Sequence, residues 1–160
     1  MTTSTPTRGA AVRFPFPPLL FIGPLAGTLA LHHWLVPLNM PGQPVTTTAA
    51  GVVLTVAGVA FSLSGVGAMI GHHTTVVPHH PVARLVTTGP YRISRNPMYA
   101  GHVVAYLGVA LWVGTWWPLI ALPVCVLATN RLVIAAEENY LTHKFGAEYL
   151  RYRSGVRRWI

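Results

Sequence analysis

The 160-residue chain is 52% hydrophobic and only 9% charged, with a mean hydropathy of +0.48. Soluble domains carry about a quarter charged residues, so this chain has too little polar surface to cover a water-soluble globule and reads as a single membrane domain. Its acidic residues are Glu137, Glu138 and Glu148, with no aspartate, which excludes Asp pairs, Asp-metal cages and Ser-His-Asp triads; the lone Cys125 excludes an intrachain disulfide.

Four stretches are apolar enough to cross a bilayer, which takes about 20 residues each: residues 16–36, 45–70, 99–113 and 117–136. The first follows Arg8 and Arg13, as in a signal peptide. Its apolar run is long and no small-x-small site follows, so it is expected to be a retained helix. Pro17 and Pro18 fit its first turn and Pro24 kinks it. Helix two is rich in small residues at i, i+4 spacing (Gly58 with Ser62, Ser64 with Ala68, Gly67 with Gly71). That spacing lets helices approach closely and leaves both a monomer and a homodimer open. "GVGAMIG" within it lacks the dinucleotide-loop spacing and follows no strand.

The net charge of +8 is explained by topology. Arg8 and Arg13 lie in the N-terminal tail. Arg84, Arg92 and Arg95 lie between helices two and three. Lys144, Arg151, Arg153, Arg157 and Arg158 lie after helix four, and the turns near Asn39 and Thr115 carry no lysine or arginine. Four spans put every charged segment on one side, which the positive-inside rule makes cytoplasmic, with both termini there. Anionic lipid is the expected partner, not nucleic acid. Trp34, Trp112, Trp116 and Trp117 mark the opposite interface. After helix four, Leu141, Phe145, Tyr149, Tyr152, Val156 and Trp159 recur at helical spacing between basic residues. This is the pattern of an amphipathic helix on the membrane surface, interrupted at Gly146 and Gly155.

Two cytoplasmic segments carry candidate chemistry. One is the loop 72–99, with "GPYRISRNPMYAG" at 89–101. The other is the exit of helix four, with Asn130, Arg131, Glu137 and Glu138. Seven residues separate Asn130 from Glu137, and Arg131 from Glu138, so on an α-helix each pair shares a face. A solvated helix start accounts equally well for the two glutamates. The doublets His72-His73 and His79-His80 lack a cysteine or aspartate to complete a metal site, and none is expected. His32-His33 reads as a satisfied interfacial pair. Pro97 biases Asn96 out of helical geometry, so helix three starts at or just after Pro97.

"RLVTTGPYRISRNPMYAG", "EENYLTHKFGAEYLRYR" and the final "VRRW" together resemble the isoprenylcysteine carboxyl methyltransferase and phospholipid methyltransferase family. The resemblance covers roughly residues 74–159 and implies an all-α integral membrane enzyme that uses S-adenosylmethionine. It implies a two-helix scaffold over 1–73 and a catalytic region over 74–160. By the same resemblance Leu85, Val86, Tyr91, Asn96, Pro97, Met98 and Tyr99 line the cofactor, with His79 on the approaching loop. Glu137 holds a polar end of the cofactor, with Glu138 beside it, and Arg131 and Glu137 are the candidates for catalysis. Many relatives have histidine where Asn96 stands, so no imidazole chemistry is assigned there. The prenylcysteine enzymes place an acceptor-binding arginine one turn before the cofactor glutamate. Here that position is Val133, and the nearest arginine is Arg131. The expected acceptor is therefore a simpler lipophilic molecule, such as a fatty acid or a hydrophobic thiol or amine. The other readings are a sterol-reductase-like membrane oxidoreductase and a non-catalytic four-helix membrane adaptor.

Overall fold

The computed structural model describes residues 16–74 and 81–160. Among them the chain is helical, with no strand: α1 (Leu19–Trp34), α2 (Val45–Gly71), a 3-10 turn (Gly89–Arg92), α3 (Pro97–Val113), α4 (Trp117–Thr129), a π turn (Asn130–Ile134), α5 (Ala135–Phe145) and α6 (Ala147–Gly155). Helix three thus starts at Pro97, where a missing N–H costs nothing. Two helices are long and apolar enough to cross a membrane: Val45–Gly71, and the continuous Trp117–Phe145. The latter outruns the span expected over 117–136, because the polar residues from Glu137 onward continue the helix and do not end it.

α2 and α3 form the closest pair in the bundle. Gly51, Gly58 and Gly65 repeat every seven residues on the buried face of α2. Gly101 and Gly108 answer them on α3. A Cβ at Gly58 would stand 2.6 Å from the Gly101 carbonyl oxygen and collide with the Ala105 amide. The two backbones are in contact, and only hydrogen fits between them. Of the pairings expected from the sequence, Gly58/Ser62 lies on this face, since a Cβ at Gly101 would collide with both, whereas Ser64/Ala68 and Gly67/Gly71 are offset from it. A Cβ at Gly67 or Gly71 meets nothing within 4 Å.

α1 packs on α4, and Phe21, Tyr99, Tyr106, Cys125, Val133 and Ile134 form the buried cluster between α1, α3 and the helix-four axis. At one end, the loop after α1 is pinned to the α3–α4 turn. Met40 N donates to the Gly114 carbonyl (2.7 Å), Trp116 N to the Leu38 carbonyl (3.1 Å) and Trp117 Nε1 to the Val36 carbonyl (2.8 Å). Both turns without basic residues therefore occupy the same end. His32 Nδ1 accepts from Leu38 N there (3.2 Å).

The glycine contact predicts an asymmetry along α2. Gly58→Val must push α3 away, with an expected cost of about 1–3 kcal/mol. Gly67→Ala enters open space and gains up to about 1 kcal/mol of helix propensity. Thermal unfolding in detergent should show a lowered midpoint for the first variant and an unchanged or raised one for the second. Equal midpoints would mean that the close α2–α3 approach does not exist in the folded protein.

Candidate active site

The other end of the bundle is organised by Glu138, in the first turn of α5. Arg95 Nη1 lies 3.0 Å from its Oε1. Arg158 grips both oxygens, with Nε 3.0 Å from Oε1 and Nη2 2.6 Å from Oε2. This is the planar two-bond arrangement that a guanidinium makes with a carboxylate. The Glu138 and Arg95 side chains are each only 9% exposed, whereas Arg158 is 38% exposed. Its hydrogen bond to Glu138 holds the Arg158 guanidinium above its ordinary pKa.

Backbone and hydroxyl bonds extend this clamp. Arg95 N donates to the Arg157 carbonyl (2.9 Å). Ser94 Oγ and Asn96 Nδ2 both donate to the Arg158 carbonyl, at 3.2 and 3.0 Å. Arg95 Nη1 donates to Tyr149 Oη (3.3 Å), and Tyr152 Oη donates to the Tyr91 carbonyl (2.7 Å). Gly146, at φ +51, ends α5 and redirects the chain; this left-handed value is one that a side chain would resist. α6 then returns Tyr149 and Tyr152 to the loop before α3. Burial pushes both phenols up in pKa. The aromatic residues at helical spacing after helix four thus contact the protein itself at Tyr149, Tyr152 and Trp159, the last of which packs against the buried cluster.

The residues expected to line a cofactor fall into three groups. Tyr91, Tyr99 and Glu137 come together: the Glu137 carboxylate lies close enough for its charge to bear on both phenols. Tyr91 is pushed above its ordinary pKa, first by burial and then by Glu137 and Tyr152. Glu137 is half-buried and makes neither an ion pair nor a hydrogen bond among the described residues. A second group serves the framework. Asn96 is bonded to the C-terminal segment, Pro97 and Met98 pack against Gly65 of α2 (3.2 and 3.0 Å from a Cβ built there), and Glu138 is enclosed by its two arginines. Leu85 and the buried Val86 form a third, on a segment that Val82 N ties to Tyr140 Oη (3.2 Å) and Ala83 N to Thr74 Oγ1 (3.0 Å). His72 Nε2 meets Thr88 Oγ1 at 2.8 Å. His79 lies outside the described residues.

Arg131 is exposed on the π turn, and Val133 beside it is fully buried. The π turn corrects the expected helix faces. Ala135 N donates to the Asn130 carbonyl, a five-residue step. The turn therefore holds one residue more than an α turn, and about 100° of rotation separates successive helical residues. Asn130 and Glu137 do not share a face, nor do Arg131 and Glu138. Sequence reasoning also missed Arg95, Arg158, Tyr149 and Tyr152 as site-forming residues. The available signal was scarcity: two glutamates side by side among so many arginines have few ways to be neutralised.

A family model described as phospholipid methyltransferase matches residues 46–148, from the first turn of α2 into α6. Similar proteins include an uncharacterized protein of Haemophilus influenzae, 40% identical over 63 residues, which are 39% of this chain and the whole of that protein. Protein-S-isoprenylcysteine O-methyltransferase B of Arabidopsis thaliana is 35% identical over 78 residues, covering 49% of this chain and 38% of that protein. The match thus spans well under half of the Arabidopsis protein. No solved structure matches.

The clamp predicts two different failures. Glu138→Gln leaves the buried Arg95 guanidinium without a counter-charge, which costs about 3–5 kcal/mol, and the unfolding midpoint in detergent should fall sharply. Arg158→Ala removes a half-exposed partner at about 1 kcal/mol or less, and its main effect is to release the tail. Limited trypsin digestion should then cut after Arg151 and Arg153 several-fold faster while the core stays intact. Wild-type cleavage rates in Arg158→Ala would show that the tail is held by something other than this pair.

Proposed function

The chain belongs to the phospholipid methyltransferase family, and we propose that it is an S-adenosylmethionine-dependent integral membrane methyltransferase acting on a small lipophilic acceptor. The observation that carries this reading is Glu137, a half-buried carboxylate with no counter-ion among the described residues, set beside two buried tyrosines. An unpaired carboxylate in a poorly solvated place favours a cationic ligand. S-adenosylmethionine carries a sulfonium and an ammonium, and tyrosine faces suit both its cations and its adenine. The donor set therefore fits the cofactor, with Glu137 complementing its positive groups and Tyr91 and Tyr99 packing on it. Asn96, Pro97 and Met98 hold the surrounding loop in shape. Leu85 and Val86 belong to the segment that approaches the site. When bound, the cofactor supplies a methyl group on a positively charged sulfur. The chain's part is to orient the reactants and exclude water.

In this reading α1, α2, α3 and the continuous helix from Trp117 are four spans, and α6 lies at the membrane surface. Residues 1–73 serve as scaffold and 74–160 as the catalytic region. The clamp and Glu137 face the cytoplasm, where a water-soluble cofactor meets a bilayer-dissolved acceptor. The pinning of both turns that lack basic residues at the far end of the bundle supports that orientation. A carboxylate-bearing prenylcysteine is a poor fit. Val133 is apolar and fully buried, and Arg131 is exposed, so no guanidinium on helix four stands inside the bundle to receive a carboxylate.

Calorimetry in detergent tests the cofactor. Glu137→Gln should weaken S-adenosylmethionine binding by about 1.5–3 kcal/mol, or roughly ten- to a hundredfold. Glu148→Gln, on the exposed start of α6, should bind as the wild type does. Unchanged affinity in Glu137→Gln would reduce this glutamate to a solvated helix start, and absence of binding in the wild type would end the methyltransferase reading.

Orientation has its own test. On a Cys125→Ala background, a cysteine at the exposed Gly42 should react with an impermeant maleimide from outside whole cells. One at the exposed Ser154 should react only after the cells are opened. The reverse pattern would invert the topology.

A further inference from the structure

α3 and α4 run antiparallel, and their register is set where Tyr106 Oη meets Cys125 Sγ at 3.7 Å. One turn from that contact, four residues back along α3 and four forward along α4, His102 stands level with Thr129. A further turn, three residues back along α3 and four forward along helix four, brings Tyr99 and Val133 together, and both belong to one buried cluster. Phe21 of α1 closes this level. Its ring stacks on His102 (5.3 Å between centroids, 25° between planes) and meets Tyr106 edge-on.

Polar atoms here lack hydrogen-bond partners. His102 Nδ1 lies 2.6 Å from the Met98 carbonyl. A carbonyl only accepts, so Nδ1 carries the hydrogen and Nε2 of the neutral ring keeps its lone pair. Among the described residues nothing bonds to Nε2 of the half-buried His102, and the fully buried Thr129 Oγ1 and the buried Oδ1 of the next residue, Asn130, also lack partners there. Unpartnered polar atoms inside an apolar bundle are costly and point to a ligand.

We propose that this level between α1, α3 and α4 is a second binding site, which takes the head group of a lipophilic thiol and has His102 as the acceptor of its proton. The proposal rests on the methyltransferase reading above and names the acceptor class for it. The Nε2 lone pair selects a head group that donates, and the Thr129 hydroxyl can accept from it or donate to it. A carboxylate cannot donate to Nε2 and would bring a negative charge where no cation stands among the described residues. Among neutral donors, a thiol is far more acidic than an aliphatic hydroxyl, so its proton can pass to an imidazole as the sulfur attacks. A neutral amine needs no base before it attacks. In the step itself the S–H bond breaks and its proton moves to Nε2. The thiol sulfur forms a bond to the methyl carbon as that carbon's bond to the sulfonium breaks. The electron pair of the broken bond stays on the donor's sulfur, which leaves as a neutral thioether. The imidazolium then loses its proton to water.

Dodecanethiol and dodecanoate are titrated separately into the full chain in detergent, with histidine rings labelled with carbon-13 and no methyl donor added. The His102 signal is identified by its loss in His102→Asn, a variant that keeps a donor for the Met98 carbonyl. It should shift with the thiol and stay in place with dodecanoate. An unmoved signal, or equal shifts with both, would overturn the site. With S-adenosylmethionine added, His102→Asn should lose roughly a hundredfold or more of methyl transfer to dodecanethiol, and Thr129→Val should weaken thiol binding. Where His102→Asn does not extract folded, His102→Gln serves, since its amide reaches the Nε2 position without accepting a proton. Wild-type transfer in these variants, with cofactor affinity intact, would refute the role of His102 and leave the methyltransferase reading standing. Failure of the wild type to bind S-adenosylmethionine would sink that reading, while the thiol titration would still decide the site.

Discussion

One buried carboxylate holding two guanidinium groups joins three parts of the chain that are distant in sequence. Glu138 comes from α5, Arg95 from the loop before α3, and Arg158 from the tail after α6. Buried ion pairs contribute little net stability, because desolvation offsets attraction, but breaking one leaves a charge stranded. The value of such an arrangement is that few alternatives satisfy it. Within this chain's three acidic residues, Glu138 has one close competitor, Glu137, and α-helical rotation points the two roughly 100° apart. The loop, the helix and the tail therefore have one way to meet.

That fixed meeting needs a stiff platform beneath it, and the glycine contact between α2 and α3 supplies it. Gly65, at the clamp end of the same glycine series, receives Pro97 and Met98. The packing of two apolar helices and the placement of the first polar residues of α3 are thus a single event. Asn96, the residue before that proline, is held extended enough for its side chain to reach the Arg158 carbonyl. Helix packing in the apolar layer and hydrogen bonding at the polar end reinforce each other through two adjacent residues.

Much of this was legible from the chain alone. The helical class, the start of α3 at Pro97 and the break at Gly146 follow from hydropathy and from the backbone limits of proline and glycine, which act locally. The family likewise stood in its separated motifs, and the match over residues 46–148 agrees with it. What failed to show was tertiary. Nothing in "VRRW" says that Arg158 turns inward while Arg157 stays exposed. Tyr149 and Tyr152 recur at a spacing that suits a lipid surface and a protein surface equally well. The glycine face of α2 was legible only at Gly58 and Ser62; several small-residue registers coexist on that helix, and only the partner selects among them.

The π turn at Asn130–Ile134 shows why spacing alone misassigned the faces of helix four. A uniform α-helix from Trp117 to Phe145 would carry its apolar face in one register to the end. The extra residue shifts everything after it by about 100° relative to everything before it. Upstream, Cys125 and Thr129 keep the register that faces α3; downstream, Glu138 faces Arg95 and Arg158, leaving Glu137 toward Tyr91 and Tyr99. With neither residue moved along the chain, an α turn in its place would carry both carboxylates away from these neighbours. A π turn forgoes regular helical hydrogen bonding, and it persists where surrounding contacts over-determine it. Here those contacts are the buried Val133 and Ile134 within the turn and the doubly held Glu138 one turn beyond. The clamp therefore does more than tie down the tail. It fixes the rotation of α5, and through that rotation it decides which of two adjacent glutamates is closed off by arginine and which stays open beside the tyrosines.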